Sequence, residues 1–218
     1  MGKIDSLKRR IPRGGIFDRV RRARDKRQWA TRDYSMPAPA HVKRLVLARY
    51  DQGGTWVETG TFLGDTTAFL ARGNRQVVSI EPSADLAEQA QKRFANSPHV
   101  QIIKGTSEEV LEDLISELTG PVSFWLDGHF SQGPTFQGSL DTPIIEELDA
   151  IGRHLDHLHP ISVLVDDVRC FDPLVDSGYP HRRVLTEWAE KEQLNWCIEH
   201  DIFVAWSMDS SKGRLQKL

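Results

Sequence analysis

From Thr55 onward, short, almost continuous apolar runs alternate with longer stretches whose apolar positions recur at helical spacing. The runs predict strands over 55–60, 76–81, 100–104, 122–127 and 161–166. The stretches between and after them predict helices over 65–72, 84–96, 108–118, 142–155 and 183–192. Val122, Phe124, Trp125 and Leu126, like Ile161, Val163, Leu164 and Val165, lack polar alternation, as befits strands covered on both faces. Two further apolar runs, 195–199 and 203–207, are separated only by His200, Asp201 and Ile202. That gap is too short for a crossover, so this pair is antiparallel. The expected fold is α/β: a Rossmann-like, doubly wound seven-stranded sheet, mostly parallel with an antiparallel last strand.

The chain before Thr55 reads differently. Residues 41–50 predict a helix with Val42, Leu45, Val46 and Ala48 inward, ended by Gln52, Gly53 and Gly54. Met36, Pro37, Ala38 and Pro39 form a linker or helix start. Further upstream, only Ile16, Phe17, Val20 and Ala23 make an apolar stripe, beside Arg19, Arg22 and Lys26. Two units follow: a basic arm, 1–36, and an α/β domain, 37–218.

Composition sets limits. At 218 residues, 39% apolar, the chain has the size of one α/β domain with a full core. No apolar run is long enough to span a membrane, and residues 1–10 contain no apolar leader core. Cys170 and Cys197 cannot build a disulfide framework or a cysteine-rich zinc site, which makes a cytoplasmic home the simplest expectation. The net charge of −3 hides an asymmetry. Residues 1–32 carry 12 of the 28 Lys/Arg and 3 of the 31 Asp/Glu, leaving 16 basic against 28 acidic residues in the rest. Such an arm suits an acidic partner, a membrane surface or the acidic body itself, with nucleic acid the weaker expectation and a homo-oligomer an open one.

In sheets of this kind, ligands sit beyond the carboxyl ends of the strands. The first strand delivers Glu58, Thr59, Gly60, Thr61, Phe62, Leu63 and Gly64, then Thr66 and Thr67. The glycines allow a tight turn and close approach to a ligand; a plain strand-to-helix turn is the alternative. The second strand ends on Glu81, followed by Pro82 and Ser83, where nucleoside-binding folds place the ribose acceptor. After the third strand come Thr106 and Ser107, which suit an adenine border, Ser107 also reading as a helix cap. The fourth strand stops at Asp127 and the fifth at Asp166 and Asp167. Three carboxylates at one sheet edge suit a hard ion such as Mg²⁺; alternatively they cap helices or bind arginines such as Arg169. His129 fits a general base or a loop histidine holding backbone. Phe130 and Phe136, in the glycine-rich stretch 128–140, suit a substrate wall or lid. Trp56, Trp125, Trp188, Trp196 and Trp206 read as core, and His154, His157 and His159 lack zinc-site spacing.

The pattern Glu58-x-Gly60-x-x-x-Gly64 with Glu81 resembles the first two motifs of class I S-adenosylmethionine (SAM) dependent methyltransferases, as does the closing strand pair. Its Glu-Thr-Gly-Thr-Phe-Leu-Gly form, with Asp127 and Asp166-Asp167, is similar to the metal-dependent O-methyltransferases of the catechol, caffeoyl-CoA and macrolide-sugar types. The resemblance covers about residues 40–207, and the segment Gly128 to Gly133 departs from the small-phenol enzymes. It implies that Glu58, Thr59, Gly60, Thr61, Phe62, Gly64 and Thr66 hold the methionine part of SAM. Glu81, with Pro82 and Ser83, would hold the ribose, and Thr106 and Ser107 would border the adenine. Asp127, beside the cofactor, would bind Mg²⁺ with Asp166 and Asp167. Asp127, His129 and Asp166 would then be the catalytic set, for O-methylation of a small-molecule or glycan hydroxyl. Two competitors are a SAM-binding scaffold without turnover and an NAD-dependent dehydrogenase. The latter needs glycine where Phe62 stands.

Overall fold

The computed structural model describes residues 16–128, 142–172 and 178–207. Helices α1 (Ile16–Ala30) and α2 (Ala40–Tyr50) precede strand β1 (Thr55–Thr59). Then follow α3 (Thr67–Leu70), β2 (Val77–Glu81), α4 (Ala84–Phe94), β3 (Val100–Lys104), α5 (Ser107–Ser116) and β4 (Val122–Leu126). The chain closes with α6 (Ile144–Arg153), β5 (Ile161–Val165), α7 (Arg183–Lys191), β6 (Asn195–Glu199) and β7 (Ile202–Trp206).

The seven strands lie in the order β3-β2-β1-β4-β5-β7-β6. Pairing is parallel from β3 to β5, and β7 runs antiparallel to both β5 and β6. The β6–β7 turn holds His200 and Asp201 at positive φ, the twist a tight hairpin needs. Strand order reverses between β1 and β4, which opens a crevice at their carboxyl ends.

Alternation within the strands supplies two cores. Val57, Phe124, Leu126, Val163 and Val165 pack with Leu111, Ile115, Leu148, Ile151 and Trp188 from α5, α6 and α7. Trp56, Trp125, Leu164 and Val204 point the other way, onto Val46, Leu47 and Leu70 from α2 and α3. Burial on both faces explains why these strands read as apolar runs. Truncating Phe124, fully buried, would cost about 3–5 kcal/mol.

Three sequence expectations are corrected. In α2, Val46 faces the core as expected and Val42 is half-buried, but Leu47 takes the inward place expected of Leu45 and Ala48, which are exposed. The helix expected over 65–72 is a single turn, Thr67–Leu70, between Thr66 and Ala71. Trp196 lies on the sheet-edge strand β6 and is 40% exposed. No described helix is long and apolar enough to cross a membrane.

Candidate active site

Glu58 is fully buried near the end of β1. Its Oε2 accepts hydrogen bonds from Thr67 Oγ1 at 2.5 Å and Ser79 Oγ at 2.6 Å. The single Ser79 proton being used there, the Thr61 hydroxyl donates to Ser79 at 2.6 Å. Oε1 of Glu58 has no hydrogen-bond partner among the described residues. Burial pushes the Glu58 carboxyl up to about 7, against the two hydroxyl bonds that favour its ionised form. A bare buried carboxylate oxygen is costly unless a donor arrives.

The turn after β1 depends on its glycines. Gly60 has φ +85°, and a Cβ there would lie 2.5 Å from the Asp127 carbonyl oxygen, so β1 and β4 can meet only over glycine. Phe62 also has positive φ, and it and Leu63 are half exposed at the crevice. Such strain in a non-glycine residue is characteristic of functional turns. Glu81 holds the turn: its Oε2 accepts from Phe62 N at 2.7 Å and its Oε1 from Ser83 N at 2.9 Å. Each oxygen keeps a further acceptor site for a ligand hydroxyl.

On the other face of β1, Thr106 rather than Ser107 is the N-cap of α5. Ser107 is the first helical residue and is buried. It and Thr59 face Glu147 of α6, where their hydroxyls favour the ionised carboxylate and burial opposes it. Burial pushes Glu147 up to about 7.

Asp127, Asp166 and Asp167 do gather at the ends of β4 and β5, but around an ammonium. Lys43 Nζ donates to Asp166 Oδ1 at 2.6 Å, to Asp166 Oδ2 at 2.5 Å and to Asp167 Oδ1 at 3.2 Å. Arg169 Nη1 donates to Asp167 Oδ1 at 2.7 Å and also pairs with Asp201. Burial opposes the charge on Lys43, yet the two carboxylates outweigh it and raise its pKa. Asp166 is pushed up to about 6, chiefly by burial. Asp127 is driven well above the usual carboxylate range by burial and by the neighbouring Asp166 charge. Mg²⁺ requires oxygens at about 2.0–2.1 Å in an octahedron. Here Asp166 gives both oxygens to Lys43, and among the described residues no three His, Cys, Asp or Glu side chains are arranged to hold a metal ion. The residues present fit an ammonium and do not fit the expected Mg²⁺.

The crevice therefore brings together Glu58, Gly60, Thr61, Phe62, Glu81 and Asp127, whereas Thr59 faces Glu147 and Gly64 packs against Phe94. Thr66 starts α3 and Pro82 lies between Glu81 and Ser83. His129, Phe130 and Phe136 lie outside the described residues. Sequence reading missed Ser79, Glu147 and Lys43. Ser79 was detectable as a polar interruption of an apolar strand, and Glu147 as a carboxylate on the apolar stripe of Ile144, Leu148 and Ile151. Thr67 was noted only as a helix start. Lys43 carries no local signal, since its partner lies 123 positions away.

No protein-family model matches the chain, and no curated protein does. Solved structures do. The O-methyltransferase TomG from Streptomyces achromogenes, involved in tomaymycin synthesis and solved with SAM, is 19% identical, with a TM-score of 0.52 and coverage of 93% of each chain. An O-methyltransferase from Bacillus cereus in complex with S-adenosylhomocysteine (SAH) is 16% identical, with a TM-score of 0.52 over 91% of this chain and 93% of that one. A putative rRNA methylase from Clostridium thermocellum is 15% identical, with a TM-score of 0.51 over 75% of this chain and 93% of that one. The fold is that of the class I methyltransferases.

Proposed function

We propose that this protein is a SAM-dependent methyltransferase acting on a hydroxyl of a small molecule or sugar. The observation that carries the cofactor assignment is the partnerless Oε1 of buried Glu58, beside the Gly60 turn and Glu81 at the point where strand order reverses. Glu58 would receive the ammonium of the methionine part, and Glu81 the ribose hydroxyls through its spare acceptor sites. Phe62 and Leu63 would exclude water from one wall.

Bound SAM supplies a methyl group already activated on a sulfonium, so the protein chiefly has to align the acceptor and remove its proton. Asp127 ends β4 against Gly60, where its carboxyl, in the ionised form, would accept the acceptor's hydroxyl proton. The hydroxyl assignment is supported by the likeness of nearly the whole chain to two O-methyltransferases. A thermal-shift series tests the reading. SAM and SAH should raise the melting temperature and NAD should not; an equal response to NAD would contradict it. Asp127→Asn should keep the SAH response and lose methyl transfer.

A further inference from the structure

We propose that Lys43 is the resident cation of the strand-end carboxylate cluster, so that the acceptor side of the crevice is ordered by an internal ammonium and works without a divalent metal. The inference rests on the methyl-transfer reading only for what the site acts upon.

An ammonium has three N–H donors, and the three carboxylate oxygens around Lys43 Nζ, at 2.6, 2.5 and 3.2 Å, use them. The carboxylates are equally engaged. Asp166 Oδ1 also accepts from the Asp167 backbone N–H at 2.8 Å, and Asp167 Oδ1 is shared with Arg169 at 2.7 Å. Asp166 and Asp167 thus meet two positive side chains, Lys43 and Arg169, with Asp127 beside Asp166 and Asp201 on the far side of Arg169. A divalent ion placed among them would face two cations at close range in a poorly screened setting, where repulsion is strong.

The pair is sheltered: the side chains of Lys43 and Asp166 are 17% and 4% exposed. It is therefore distinct from a solvated surface pair, whose geometry is loose. The ammonium also has a fixed address. Lys43 rides on α2, which is anchored through buried Val46 and Leu47 to the β1–β4–β5 face. Asp167 holds a left-handed backbone, φ +57°, with its carboxylate on both cations. Lys43 is thus a positioning residue. It acts through Asp166 and Asp167 and ties α2 to the end of β5.

The test uses the full chain and Mn²⁺ followed by electron paramagnetic resonance, with Mg²⁺ in parallel thermal shifts. Wild type should take up no Mn²⁺ in the millimolar range, the weak end of hard-cation sites, and its melting temperature should not respond to Mg²⁺. Lys43→Met should gain saturable Mn²⁺ binding and a melting temperature that rises with Mg²⁺, while Lys43→Arg should stay indifferent to both ions. Saturable Mn²⁺ binding by wild type that is lost in Asp166→Asn would overturn the proposal. So would a folded Lys43→Met protein that binds no Mn²⁺. If Lys43→Met does not fold, the wild-type titration decides alone. SAH thermal shifts on the same samples separate the two readings, because a missing SAH response removes the methyl-transfer reading and leaves the Mn²⁺ result standing.

Discussion

At the scale of residues, the site is marked by carboxyl groups held away from water. Glu58 and Glu147 are both pushed from the ordinary glutamate value of 4.5 up to about 7 by burial. A carboxyl whose folded pKa is raised keeps its proton in the native state while the unfolded chain loses it. Its contribution to stability is therefore full below about 4.5, falls as pH rises, and levels off above about 7. Glu147 is the simpler case to test, because burial outweighs the Ser107 and Thr59 hydroxyls that face it. Glu147→Gln should gain on wild type between these pH limits, on the order of 2–3 kcal/mol by denaturant unfolding at pH 7 relative to acid. A constant difference across that range would mean that Glu147 is charged and solvated when folded.

At the scale of elements, the β1 turn is the feature on which both cofactor and acceptor sides depend. Gly60→Ala adds a Cβ that must push the Asp127 carbonyl away, at a backbone angle that side chains resist. The expected cost is about 1–3 kcal/mol in stability, together with weakened SAH binding. Retained affinity in a destabilised Gly60→Ala protein would show that the turn shapes the fold and not the ligand site. The elements were readable in the sequence where burial on two faces left a plain apolar run: 122–127 and 161–166 overrun β4 and β5 only by the carboxylate that follows each, Asp127 and Asp166. Agreement was poorer in α2, where a polar-rich helix against a flat sheet face buries Val46 and Leu47 and leaves Leu45 outside. The strand-end carboxylates were legible as abrupt charges after apolar runs. Their partner was not, because Lys43 reaches them only through the packing of α2, and nothing near residue 43 encodes that meeting.

At the scale of the whole molecule, the basic N-terminal region is joined to the domain. Trp29, at the end of α1, is buried, donates from Nε1 to the Ser35 carbonyl at 2.8 Å, and meets His200 of the β6–β7 turn edge-on at 5.8 Å. Burial, followed by the charges of Arg22 and Lys26, pushes the His41 pKa down, which places the cationic face of α1 beside the start of α2. A line of contacts thus runs from α1 through α2 and Lys43 to the acceptor end of β5. On the opposite side of the β1–β4 reversal lies the Glu58–Glu81 crevice. The central claim is that this crevice holds SAM, and crystals grown or soaked with SAH test it most directly. The expected result is one SAH at the carboxyl ends of β1 and β2, its amino group on Glu58, its ribose on Glu81 and its adenine towards Ser107. SAH bound elsewhere, or a crevice that stays empty at saturating SAH, would contradict the account.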